Sequence, residues 1–249
     1  MRIFISLQIA VLIICNIAHA QITVATAANM RYAMEDLRMD FTRMNGTEVK
    51  AVYGSSGKLV TQIKNGAPFD IFVSADVGYA DSAAKWGYAA SKPRIYAYGK
   101  LALWTMKNFD LKRGLGVLAD SGIGKIAIGD PKVTVYGPAS IEAMKKAGVY
   151  DKVKTQFVLA DNIGQVAEFI VTQSADIGLT AVSIAMSEQM RGKGTWVTVD
   201  SALYPPIGQA AILLKYGEDN NPASAGAFYE YLYSEKARAI LKRYGYSVP

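Results

Sequence analysis

The sequence predicts an α/β chain of two lobes, each a mainly parallel sheet flanked by helices, with a hinge of two crossing segments between them. Three observations lead there. Short apolar runs alternate with amphipathic helical stretches over residues 22–75, the pattern of a sheet covered on both faces. The same alternation restarts at residue 125 and continues to 181. Two strand-like runs, 96–105 and 203–214, belong to neither unit, and two crossings imply a hinge.

Taken in order, the chain begins with Arg2, an almost unbroken apolar run over 3–18, and Ala18-His19-Ala20, which puts small residues where a signal peptidase reads. Residues 1–20 are therefore expected to be a signal peptide cleaved after Ala20, and the work to be done outside the cytoplasm. An uncleaved anchor would need roughly 20 apolar residues, whereas Gln21 opens directly into a soluble pattern. A lipoprotein reading would use Cys15, but bulky Ile14 stands where a small residue should precede it. Without the leader the chain has neither its one Cys nor its one His. That excludes Cys nucleophiles, Ser-His-Asp triads, His or Cys metal sites and disulfides. Lys and Arg number 27 against 21 Asp and Glu, and Arg2 leaves with the leader, so the mature chain carries +5. The excess is spread along helical stretches such as Lys145-Lys146 and 236–243, which reads as solvated surface and not as a nucleic-acid site.

ITVATA (22–27) is a first strand. Met30, Ala33, Met34, Leu37, Phe41 and Met44 then recur at helical spacing until Asn45-Gly46 ends the run. EVKAVY (48–53) is a second strand, and Gly54-Ser55-Ser56-Gly57 leads into a short helix through Leu59, Val60 and Ile63 that Gly66 and Pro68 terminate. DIFVSA (70–75) is a third. In the second unit KIAIGD (125–130) precedes a loop through Tyr136-Gly137-Pro138 and a helix over 139–147. TQFVLA (155–160), a helix opening at Asn162, and DIGLTA (176–181) follow. Helices over 222–232 and 234–243, the second capped by Ser234, return to the first lobe. The expected lobes are thus 21–98 with 207–249, and 99–206.

Three strand-to-helix junctions share one character: Ala27-Ala28-Asn29, Gly54-Ser55-Ser56-Gly57 and Asp161-Asn162-Ile163-Gly164. Each sets small, hydroxyl or amide residues where a helix start exposes unpaired N–H groups and the positive end of its dipole, which suits an anion. Asn29, Ser55 and Asn162 can equally be ordinary N-caps, and both readings stand at this point. A phosphate loop is not formed, because only two residues separate Gly54 from Gly57 and Leu59 follows Lys58. Ser55-Ser56-Gly57-Lys58 matches the Ser-x-x-Lys of penicillin-recognising enzymes, but the companion Lys-Thr-Gly is absent. Asp70, Asp76, Asp130 and Asp161 read as capping residues, with no carboxylate pair for glycoside cleavage. The 15 tyrosines read as core or lobe surface.

The strings ITVATAANM, YGSSGKLVTQIKNGAPFDIFVSAD, IAIGDPKVTVYGPA, ADIGLTA and the terminal RYGY resemble the periplasmic molybdate-binding proteins of ABC importers, in order along essentially the whole mature chain. The resemblance implies the type II periplasmic-binding-protein fold, no enzymatic activity, and no cofactor. It also implies a monomer that closes over molybdate or tungstate and delivers it to a membrane permease. Carried over by position, the ligand set falls on Ala28, Asn29, Ser56, Tyr136 and Ile163, holding the oxoanion through neutral donors; molybdenum is met only in that form. Many members have Ser at the place of Asn29, and several use a Tyr hydroxyl at that of Ala181. This chain looks like a second branch with Asn at the first place and Tyr at 136. The alternatives are another tetrahedral oxoanion such as sulfate, an exported hydrolase using Ser55 with Lys58, and a sensor built on the same fold.

Overall fold

A computed structural model describes residues 21–249. The expected leader, with Cys15 and His19, lies outside the described residues. The first unit runs β1 (Gln21–Ala27), α1 (Arg31–Asn45), β2 (Glu48–Gly54), α2 (Ser56–Lys64), β3 (Ile71–Val73), α3 (Val77–Lys85) and β4 (Arg94–Gly99). The second runs β5 (Leu101–Thr105), β6 (Ile126–Gly129), α4 (Tyr136–Lys146), α5 (Tyr150–Val153), β7 (Phe157–Ala160), α6 (Ile163–Val171), β8 (Ile177–Ala181), α7 (Val182–Ala185) and β9 (Thr195–Thr198). The chain returns through β10 (Ile207–Leu213), α8 (Lys215–Asn220), α9 (Pro222–Tyr231) and α10 (Glu235–Arg243).

Two five-stranded sheets result, ordered β2-β1-β3-β10-β4 and β7-β6-β8-β5-β9. Both are mixed. β1 is parallel to β2 and β3, while β10 is antiparallel to β3 and β4. In the second sheet β6 is parallel to β7 and β8, while β5 is antiparallel to β8 and β9. The parallel strands are the ones joined by helical crossovers. The antiparallel ones come from the segments that pass between lobes, which the strand-helix alternation does not describe.

Burial explains why the strands read as continuous apolar runs. Along β1, Ile22 and Val24 pack with Met30, Met34 and Phe41 of one layer, while Ala25 faces Leu59, Val60 and Ile63 of the other. β3 divides the same way, Ile71 and Val73 against Phe72. A strand covered on both faces needs apolar residues at both parities. The returning helix α9 packs Phe228 edge-on against Phe41 of α1, ring centroids 5.0 Å apart. Asp70 is not a helix cap: fully buried, it accepts from the Thr23 N–H (2.6 Å) and from Asn221 Nδ2 (2.8 Å), tying β1 to the start of α9.

Two boundaries differ from the sequence expectation. The apolar run 96–105 is two strands in different sheets, β4 and β5, divided at Lys100. α4 starts at Tyr136, not 139, because Pro138 sits in the first turn, where no helical N–H donor is needed. The second crossing descends through Tyr204-Pro205-Pro206 to Ile207, which pairs with Gly99. Tyr204 Oη accepts from the Leu101 N–H at 3.1 Å and binds the two crossings together.

Candidate anion-binding site

The ends of the strands meet in one small cavity between the sheets, its walls enclosing about 220 Å³ including the mouth. All five residues carried over by resemblance, Ala28, Asn29, Ser56, Tyr136 and Ile163, line it. No lining residue carries a charged side chain. Ser56, Tyr136 and Ile163 are the first residues of α2, α4 and α6. Three helix N-termini therefore point N–H groups without intrahelical partners, and the positive ends of three dipoles, at one space.

The caps separate the two readings of the junctions. Ser55 and Asn162 are N-caps, accepting from the Lys58 N–H at 3.4 Å and from the Gln165 N–H at 3.1 Å. Asn29 caps nothing. The chain leaves β1 by a single 3-10 turn, Ala28–Met30, and this sets the Asn29 side chain, 1% exposed, into the cleft. Its Nδ2 donates to Gln209 Oε1 (2.9 Å) and Tyr246 Oη (2.8 Å), while its Oδ1 has no protein partner. Its backbone carbonyl accepts from Ser183 Oγ at 2.9 Å. Ser56 is buried too; its Oγ accepts from the Ala75 N–H at 2.9 Å, which leaves the hydroxyl proton free to donate inward.

Tyr136 contributes differently from a simple hydroxyl ligand. Its ring is buried and Oη receives Gln209 Nε2 at 3.1 Å, beside the hinge. Burial, then the neighbouring tyrosines, pushes the Tyr136 and Tyr96 hydroxyls far above the usual phenol range, so both stay protonated. Ala75 also lines the cavity. Sequence reasoning missed Ala75, Gln209 and Tyr246. The one available signal was Gln209 itself, a lone amide in the apolar run of β10. Ala181 ends β8, fully buried, and does not line the cavity.

Contacts across the cleft hold the lobes together over the site. The Gly57 N–H donates to Val133 O at 3.3 Å, and Lys58 Nζ pairs with Asp161 Oδ2 at 2.7 Å. The Lys58 amine thus serves an ion pair across the cleft and not Ser55, so the hydrolase arrangement is not assembled. The Lys58 and Asp161 side chains are 47% and 66% exposed, and such pairs contribute about 0–1 kcal/mol. Lys58→Ala is accordingly expected to change anion affinity by less than about fivefold in calorimetric titration.

A larger groove, about 1080 Å³ with its mouth included, flanks the hinge. Its walls include Val77, Ile95, Val135 and Pro205, and its charged side chains are the carboxylates of Asp76 and Glu142. Asp76 itself caps α3, accepting from the Tyr79 N–H at 2.9 Å. The groove has the wrong sign for an anion. Among the described residues no cluster of three or more His, Cys, Asp or Glu could hold a metal cation. No described helix is long and apolar enough to cross a membrane.

Residues 22–247 match the family of bacterial extracellular solute-binding proteins. The molybdate-binding protein ModA of Rhodobacter capsulatus is 36% identical over 232 residues, covering 92% of this chain and 89% of that one. ModA of Azotobacter vinelandii is 34% identical over 238 residues, covering 95% and 94%. The solved structure of the Azotobacter vinelandii periplasmic molybdate-binding protein superposes with a TM-score of 0.83 at 32% identity, covering 92% of this chain and 99% of that one. Nearly the whole described chain is shared with these relatives, and the cavity lies between two lobes as expected for proteins that enclose a solute. The chain belongs to the bacterial extracellular solute-binding protein family.

Proposed function

We propose that this chain captures molybdate, and tungstate as a close analogue, and delivers it to the membrane permease of an ABC importer. In this reading residues 1–20 are removed on export to the periplasm and the mature protein works there as a monomer. Its lobes are 21–98 with 207–249, and 99–206. Ala28, Asn29, Ser56, Tyr136 and Ile163 hold the anion.

The observation that carries the reading is the convergence of three helix N-termini and the Ser56 hydroxyl on a cavity with no charged side chain. A dianion entering a closed cleft loses hydration worth tens of kcal/mol by Born estimates. Fixed N–H and O–H dipoles replace that water without a counter-ion. Hydrogen phosphate is disfavoured where Asn29 turns its NH₂ and not its Oδ1 to the anion, since the remaining proton then finds no acceptor, at roughly 1–3 kcal/mol.

Isothermal titration with molybdate, tungstate, sulfate and phosphate tests it. Heat is expected with the first two; no heat with either sinks the proposal, and preferential heat with sulfate selects the alternative anion. Ser56→Ala removes one donor from the wall and is expected to weaken molybdate binding by about 1–3 kcal/mol, or roughly 5- to 150-fold. The same titration reads it. Unchanged affinity would move the anion elsewhere in the cleft.

A further inference from the structure

Gln209 is the one polar residue in the run Ile207–Leu213, and it is completely buried. In the pairing of β10 with β4 the register shifts beside Gln209: Gln209 stands opposite Ala97 and Ala210 opposite Ile95, so Tyr96 of β4 has no opposite residue, and an extra residue of this kind re-aims side chains locally. The Gln209 amide lies between the lobes. Oε1 accepts from Tyr96 Oη at 2.8 Å and Asn29 Nδ2 at 2.9 Å, and Nε2 donates to Tyr136 Oη at 3.1 Å. Gly99, where the chain crosses between sheets, makes room for this: a Cβ there would overlap both Tyr136 Oη and Gln209 Nε2. One amide thus touches a cavity residue of each lobe at the hinge.

The orientation has a consequence for the anion. While Gln209 presents Oε1, Asn29 must present its NH₂ to Gln209, and this strands Asn29 Oδ1, buried and without a partner, on a residue of the cavity wall. A carbonyl oxygen there repels an acceptor-only oxoanion. Turning both amides end for end removes the conflict. Gln209 Nε2 would then donate to Asn29 Oδ1 and to Tyr96 Oη, whose own proton is within reach of Ser74 O at 3.3 Å. Gln209 Oε1 would accept from the Tyr136 hydroxyl, and Tyr246 Oη, now 2.8 Å from Nδ2, would donate to the Oδ1 that replaces it. The Asn29 carbonyl keeps Ser183 Oγ. The Tyr246 proton then moves from the Asn29 carbonyl, 3.1 Å away, to Oδ1, both amide oxygens and Gln209 Nε2 have partners, and Asn29 Nδ2 takes the stranded place as a free donor.

We infer that Gln209 is a positioning residue whose amide sets the donor sense of Asn29, and that the Gln209–Asn29 pair takes the reversed orientation when an oxoanion is held. The inference rests on the proposed function. Its test combines titration of the mature protein with molybdate over pH 6–9 and neutron diffraction of the molybdate-bound wild type. Gln209→Met, which neither donates nor accepts, is expected to lose about tenfold in affinity at every pH. Gln209→Glu can only accept when ionised and holds Asn29 in the repelling sense. It is expected to lose at least about a hundredfold at pH 9 and to recover as the pH falls and the buried carboxyl protonates. Wild type should show neither slope. The neutron map should place the Gln209 Nε2 deuterons toward Asn29 Oδ1. Equal, pH-independent losses in the two variants, or a map with Asn29 Nδ2 still directed at Gln209, would overturn the inference while leaving molybdate binding intact. A wild type that takes no molybdate removes the function and the inference together.

Discussion

Asn29→Asp is expected to abolish oxoanion binding at neutral pH. The side chain at this position is 1% exposed and the cavity around it holds no charged side chain. An ionised carboxylate would be desolvated, lack a cation, and face the incoming dianion. Like-charge juxtaposition of this kind costs several kcal/mol, which is about a thousandfold or more in affinity. Burial favours the neutral acid, so the folded pKa of the new carboxyl lies above its unfolded value. The folded state then binds more protons than the unfolded one, and stability falls as pH rises between those two pKa values. Binding should return in part on acidification, because the protonated acid is neutral and can donate. Calorimetric titration with molybdate at pH 7.5 and pH 5.5, beside thermal melts of the anion-free protein, checks both statements. Wild-type affinity at pH 7.5 would remove Asn29 from the anion's surroundings.

Gly57→Ala should act on closure and not on the fold of either lobe. Gly57 stands in the first turn of α2, and its N–H bonds to Val133 O in the opposite lobe at 3.3 Å. A Cβ at Gly57 would lie 2.9 Å from that carbonyl and 3.0 Å from Tyr79 Oη. The carbonyl is backbone and cannot rotate away. Overpacking of this kind costs about 1–3 kcal/mol; an open cleft relieves the Val133 contact, while the Tyr79 hydroxyl, in the same lobe, is the far end of a side chain and can give by a few tenths of an ångström. The cost therefore falls on the closed state, lowering affinity by roughly 5- to 150-fold. The melting temperature of the anion-free protein should shift little. Titration calorimetry gives the first quantity. Solution scattering should also show the ligand-saturated variant less compact than the ligand-saturated wild type. Full affinity with full compaction would mean that the two lobes meet differently in solution.

The failures of sequence reading are as informative as its successes. Ser234 caps α10 as expected, its Oγ accepting from the Ala237 N–H at 3.2 Å, because a cap and its helix are three residues apart and both are visible in one window. The run 96–105 was legible as strand but not as two strands. Its division at Lys100 depends on which sheet each half joins, and its partners lie near residues 180 and 210. Asp70 looked like a cap for the same reason. Its real partners, Thr23 and Asn221, are 47 and 151 residues away.

The same division runs through the site. Local physics written in the sequence determined that helices start at Ser56 and just after Asn162, that strands end just before them, and that no Cys or His remains beyond the expected leader for chemistry. Those are short-range matters of periodicity, capping and composition. Only the tertiary structure decided that Ser55 and Asn162 are caps while Asn29 is not, and that the Asn29 amide is shared with Gln209 beside the cavity. Asn29 meets Gln209 and Tyr246 across 180 and 217 residues of chain. The sense of a buried amide follows from where every neighbouring donor and acceptor lies, and those neighbours are assembled only when both lobes and the returning C-terminal segment are in place.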